Sequence, residues 1–167
     1  MTYTRRGRLR VAAPDFNLGA TWLASANREP EAAIDRWRAG QLADIETGEL
    51  FNVLRVNGEQ LGMAVLKGLR LADRPVGPVL HNRTGQCVEF LVTIRAAVQW
   101  SMSSTELIGR PADGDPPDTV AMPAPGMQRF SGRSWLVLPD GERRPTDLGD
   151  LAVALRHARD LLRRTDQ

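Results

Sequence analysis

The sequence predicts an α/β (α+β) domain, a mixed β-sheet flanked by helices, and three stretches carry that expectation. Leu50-Phe51-Asn52-Val53-Leu54-Arg55-Val56-Asn57 has the β-rich, period-two character of a strand, so Asn52, Leu54 and Val56 face one way and Val53, Arg55 and Asn57 the other. From Gly58 to about Leu71, apolar Leu61, Val65 and Leu69 recur every four residues, the stripe of an amphipathic helix. Over 147–164, Leu148, Leu151, Leu155, Ala158 and Leu162 repeat that stripe behind a Thr146 or Asp147 cap. Acidic Asp147 and Asp150 at its start and Arg163 and Arg164 at its end suit the helix dipole.

A chain of 167 residues, 42% apolar and 25% charged, is long enough to bury a core as one domain. The expected organisation is a basic arm over 1–15 followed by one α/β domain over 16–167. No apolar run reaches bilayer length and no apolar signal core follows the N-terminus, which predicts a cytoplasmic protein with no membrane partner. Cys87 is the only cysteine and His81 and His157 the only histidines, which excludes disulfide frameworks and the common zinc ligand sets. The formal charge of +2 does not by itself demand a polyanion. Lys67 is the single lysine among the cations, a skew that fits bidentate phosphate contacts and fits a GC-rich coding sequence at least as well.

In order along the chain, Arg5, Arg6 and Arg8 make the arm basic. It is either a solvated terminus, the preferred reading, or a segment that follows a phosphate backbone. Residues 17–39 predict two short helices, the first capped by Asn17 and carrying Leu18, Trp22, Leu23 and Ala26. The second is capped by Asn27, with Pro30 and Glu31 in its first turn and Ala33, Ile34 and Trp37 on its apolar face. Trp22 and Trp37 suit a core at that spacing, with base stacking the alternative. Residues 42–46 and 50–56 predict a hairpin across the Gly48 turn. Residues 77–81 and 86–92 read as strands joined across Asn82 to Gly85, and with the preceding strand and helix they suggest a crossover on one sheet. A short helix is expected over 94–103, strands over 105–109, 119–122 and 134–138, and loops over 111–117 and 126–133.

Seven landmarks in this order carry a family resemblance: Trp22-Leu-Ala-Ser-Ala, Asp44-Ile-Glu-Thr-Gly, Phe51-Asn-Val-Leu-Arg-Val, Gly77-Pro-Val-Leu, Gly85-Gln-Cys-Val-Glu-Phe, Val120-Ala-Met-Pro-Ala-Pro and Trp135-Leu-Val-Leu-Pro-Asp-Gly with the terminal helix. The chain resembles the N-terminal domain of bifunctional DNA primase/polymerases, the archaeo-eukaryotic primase or prim-pol superfamily, in its short actinobacterial-type form. The resemblance implies nucleotidyl transfer with Mg²⁺ or Mn²⁺ held by two carboxylates on one face of the central strand, since hard cations need oxygen ligands. It places those positions on Arg55 and Asn57, and a phosphate-contacting histidine on Cys87. A third acidic landmark falls on Asp113, Asp115 or Asp118. An arginine repels a cation, so the resemblance implies a degenerate active site with no catalytic residue, metal or cofactor.

Glu89 shares a face with Cys87, and an Arg55–Glu89 ion pair is the economical replacement for a metal–carboxylate site. The expected function is a silent prim-pol-like module that binds single-stranded or primer-template DNA, or a replication protein. Its candidate contacts are Arg5, Arg6, Arg8, Arg55, Arg129 and Arg133. The alternatives are a protein-interaction domain with no nucleic-acid role, and an active Mg²⁺/Mn²⁺-dependent enzyme using Glu46, Glu49 or Glu89.

Overall fold

Residues 18–95, 100–109, 115–127 and 131–167 are described by the structure, a computed structural model. In chain order the elements are α1 (Leu18–Ala24), α2 (Pro30–Arg38), β1 (Ala43–Glu46), β2 (Asn52–Asn57), α3 (Glu59–Leu71), β3 (Val79–Asn82), β4 (Cys87–Val92), β5 (Thr105–Ile108), β6 (Thr119–Met122), β7 (Arg133–Val137) and α4 (Leu148–Thr165). The expected α/β (α+β) class holds. The strands divide into a five-stranded sheet ordered β5-β2-β4-β3-β7 and a two-stranded sheet β1-β6, and neighbouring strands are antiparallel in both.

Alternation along the strands sorts side chains into two cores. Leu54, Val56, Val88, Phe90 and Val92 face α3 and α4, meeting Val65, Leu66 and Leu69 from one helix and Leu148, Leu151 and Leu155 from the other. Val53, Leu80, Leu91 and Ile108 face the opposite way, against α1, α2 and the small sheet. Helix α3 comes close to β4 at Gly62, where an added Cβ would lie 2.4 Å from Val88 Cγ2. A bulge between Val79 and Leu80 shifts the β3–β7 register, which lets Val137 join one core while Trp135 packs on the other. Of the two caps expected for helix α4, Thr146 and Asp147, it is Asp147 that serves, its side chain accepting from the backbone N–H groups of Gly149 and Asp150.

Three expectations are corrected. Residues 42–57 do not form a hairpin: β2 already has β4 on one edge and β5 on the other, so β1 pairs with β6 instead. The Gly48 turn, with φ 96° and its N–H donating to Phe51 O at 2.8 Å, carries the chain from one sheet to the other. Asn27 does not cap α2, whose cap position is Glu29 without a side-chain bond. Asn27 clamps β1, its Nδ2 donating to Asp44 O at 2.9 Å and its Oδ1 accepting from Glu46 N at 2.7 Å. The described part of 94–103 is not helical. Just before it Thr93 N–H extends β4 by donating to Thr146 O, and at its other end the Thr105 hydroxyl, which accepts from Trp100 Nε1, donates to Met102 O in a local turn. The Asn17 cap, the 1–15 arm and the loop tips at 110–114 and 128–130 lie outside the described residues.

Candidate functional site

The face that packs Val53 and Leu91 under the small lobe changes character toward the other end of the sheet. One register step on from Val53↔Leu91 comes Arg55↔Glu89, and a further step brings Asn57↔Cys87. Neighbouring strands add Glu106 opposite Arg55, and Asn82 opposite both Cys87 and Arg133. Strand geometry alone therefore collects Arg55, Glu89, Glu106, Arg133, Cys87, Asn57 and Asn82 on one surface.

The expected Arg55–Glu89 pair forms, and it belongs to a larger network. Arg55 donates through one terminal nitrogen to Glu89 Oε2 at 3.0 Å and through the other to Glu106 Oε2 at 3.1 Å. Arg133 donates to the second Glu89 oxygen at 2.8 Å. The Glu89 side chain is fully buried at 0% exposure, with Arg133 at 17%, Arg55 at 27% and Glu106 at 60%. A carboxylate on a central strand costs several kcal/mol to dehydrate, and two guanidiniums offset this only when both oxygens are met, as they are here. Two positive and two negative charges sum to zero across the four residues.

The local turn that places Arg133 is tight. Asn82 Oδ1 accepts from Gly85 N at 2.9 Å, and Arg83 N donates to Gly132 O at 2.8 Å. Gly132 has φ +74°, and a Cβ there would come 2.3 Å from Thr84 Oγ1. Only glycine lets the chain pass so close to the β3–β4 turn before Arg133 enters the sheet.

Burial alone lowers the basicity of the Arg55 guanidinium. The charge and hydrogen bond of Glu89 outweigh it, with Glu106 adding, and the group ends above its ordinary value. For Cys87, burial comes first and the Glu89 charge second, together pushing the thiol up against the opposing pull of Arg55 and Arg133. A buried thiol held in its neutral form is no nucleophile at neutral pH. Among the described residues no acceptor meets the buried Arg55 Nε.

The resemblance implies divalent metals at Arg55 and Asn57, and the residues present do not fit them. Both Glu89 oxygens are taken by guanidiniums, so a cation there would meet two positive groups in place of ligands. Among the described residues no three His, Cys, Asp or Glu side chains are grouped to hold a metal ion. Glu89 aside, the alternative carboxylates lie elsewhere, with Glu49 exposed between β1 and β2. Glu46 is on the small sheet, bound by the backbone N–H and Nε of Arg28 at 2.6 and 3.2 Å. Asp118 precedes β6, its carbonyl accepting from Thr47, and Asp115 is exposed in the same segment. Asp113 lies outside the described residues, as do Arg5, Arg6, Arg8 and Arg129, so of the six candidate phosphate contacts Arg55 and Arg133 are the two the structure places together.

Trp37 is buried, its Nε1 donating to Met122 O at 3.0 Å, which makes it a core residue rather than a stacking platform. Trp22 sits partly buried with its ring centroid 5.5 Å from that of Phe51. Glu106 and the bridging role of Arg133 escaped sequence reasoning. The signal for Glu106 was its alternate position in Thr105–Ile108, opposite in charge to Arg55, and it becomes usable only once β5 is known to lie beside β2. Among the described residues no helix is long and apolar enough to cross a membrane. No family model, curated protein or solved structure matches the chain.

Proposed function

We propose that this chain is a catalytically silent, prim-pol-like module that binds a nucleic-acid strand through the Arg55–Arg133 surface. The observation that carries the reading is Arg55, seated between Glu89 and Glu106 where the resemblance calls for a metal-binding carboxylate. Two partly exposed guanidiniums on one sheet face suit phosphate oxygens, which give affinity without reading sequence. Because Glu89 neutralises much of that charge, the affinity is modest and falls with salt. Arg5, Arg6, Arg8 and Arg129 are the further phosphate contacts this reading takes from the sequence, and they lie outside the described residues.

The test is fluorescence anisotropy of labelled single-stranded and primer-template DNA at low ionic strength, with and without Mn²⁺ and deoxynucleotides. Arg55→Lys is the informative variant, because it keeps a charge beside buried Glu89 while removing the planar fork. Salt-sensitive binding that ignores metal and weakens in Arg55→Lys supports the reading. Metal-dependent tightening or primer extension overturns its silence. Absence of binding favours a protein-interaction domain, and a specific feature supports that second reading. Leu71 at 77% and Val153 at 49% exposure line an apolar groove of about 400 Å³ between α3 and α4, rimmed by Arg74 and Asp150.

A further inference from the structure

The two carboxylates that hold Arg55 are unequal. Glu89 is fully enclosed and shared with Arg133, so its removal from Arg55 would strand a buried charge. Glu106 is 60% exposed on β5, which among the described residues has β2 as its one strand neighbour, and it meets Arg55 through one oxygen at 3.1 Å. An exposed ion pair of that kind is weak enough for solvent or another anion to displace. A phosphate oxygen presents the same in-plane acceptor to a guanidinium as a carboxylate oxygen does.

We propose that Glu106 is a built-in competitor for the phosphate of a bound strand. It occupies the outer arm of Arg55 in the free protein, and a phosphodiester oxygen takes its place on binding while Glu89 keeps the inner arm fixed. The inference rests on the nucleic-acid reading above and adds its control. With Glu106 seated, the four charges cancel and the surface attracts polyanions weakly; with Glu106 swung out, Arg55 presents one donor edge already oriented by Glu89. The resting contact thus sets a threshold, so that a long strand with many phosphates displaces Glu106 where an isolated anion does so poorly.

The experiment compares the wild type, Glu106→Gln, Glu106→Gln/Arg55→Lys and Asp160→Asn for binding of a labelled oligothymidylate across a salt series. Asp160 lies exposed on α4, which packs on the other face of the sheet, and it controls for the loss of one negative charge. The proposal expects Glu106→Gln to bind about two- to five-fold tighter than wild type at low salt. It also expects similar log–log salt slopes for the two proteins, because the Arg55–phosphate contact forms in both complexes and Glu106→Gln only removes the competitor from the free protein. The double variant should lose the gain, and Asp160→Asn should show little of it. Equal affinities for Glu106→Gln and wild type, both binding, overturn the competitor while leaving the binding reading intact. An equal gain from Asp160→Asn does the same by reducing the effect to net charge. If no protein binds the oligonucleotide, the binding reading fails and the competitor, which rests on it, fails with it.

Discussion

Replacing Glu89 with glutamine tests the central network most directly, because it deletes one charge with almost no change in shape. Both guanidiniums that Glu89 holds then lose their shared countercharge, Arg133 at 2.8 Å and Arg55 at 3.0 Å. Breaking a buried pair in this way typically costs ~3–5 kcal/mol. Arg55 keeps Glu106, and the arginine side chains retain 27% and 17% of their exposure, so both can recover some hydration. That places the expected loss near the lower limit, ~3 kcal/mol. For a domain of this size each kcal/mol moves Tm by ~2–4 °C, so thermal melting followed by circular dichroism should show a fall of ~6–12 °C. Glu106→Gln removes the exposed partner and should cost at most ~1 kcal/mol. A Glu89→Gln protein that melts within a degree or two of Glu106→Gln would refute the reasoning, since it would mean that the two carboxylates share one environment.

Two glycines of α3 should respond with opposite signs. Gly62→Ala drives a methyl to 2.4 Å from Val88 Cγ2 and should destabilise by ~1–3 kcal/mol through overpacking, whereas Gly68, with nothing within 4 Å, should gain ~0.5–1 kcal/mol of helix propensity as alanine. Urea midpoints of the two variants check this, and a stabilised Gly62→Ala would show that α3 does not lie so close to β4. Cys87 gives a pH-dependent prediction. Its thiol is raised in the fold, so above the ordinary value of about 8.5 the unfolded chain sheds a proton the folded chain keeps, and stability falls as pH rises. Urea melts on the alkaline side should therefore show a steeper decline for wild type than for Cys87→Ala, and parallel declines would count against the raised thiol.

Local pattern carried much of the fold. The stripe of Leu61, Val65 and Leu69 marked α3, the Asp147 cap marked α4, and the turn between Asn82 and Gly85 joined β3 to β4 as expected. Period two also put Arg55 on the face that Glu89 reaches. What local pattern cannot encode is which distant strand takes an edge. Residues 43–46 carried a turn signal toward β2, yet β2 was already filled by β4 and β5, and Ala43 and Ile45 found burial opposite β6. The same ignorance hid half of the candidate site. Arg133 read as a candidate phosphate contact at the end of a loop, with no sign of its bond to Glu89, and Glu106 as an ordinary strand residue, until β7 and β5 were placed. Asn27 read as a cap because asparagine before Pro30 suits one, and the free edge of β1 offered its side chain better partners.

The pairing of Ala43 with Met122 sets an order of events for a chain emerging from the ribosome. Strand β1 leaves the tunnel behind α1 and α2, but its one strand partner among the described residues is synthesised only after β2 to β5 have passed. Until then its backbone edge and the apolar side chains of Ala43 and Ile45 lack their cover, a surface that invites nonspecific association or chaperone capture. Closing so long a loop is a slow, entropically late step, whereas β3 and β4 join through a short turn. A nascent chain stalled before Thr119 would hold both strands of the β3–β4 hairpin but lack the β6 half of the small sheet.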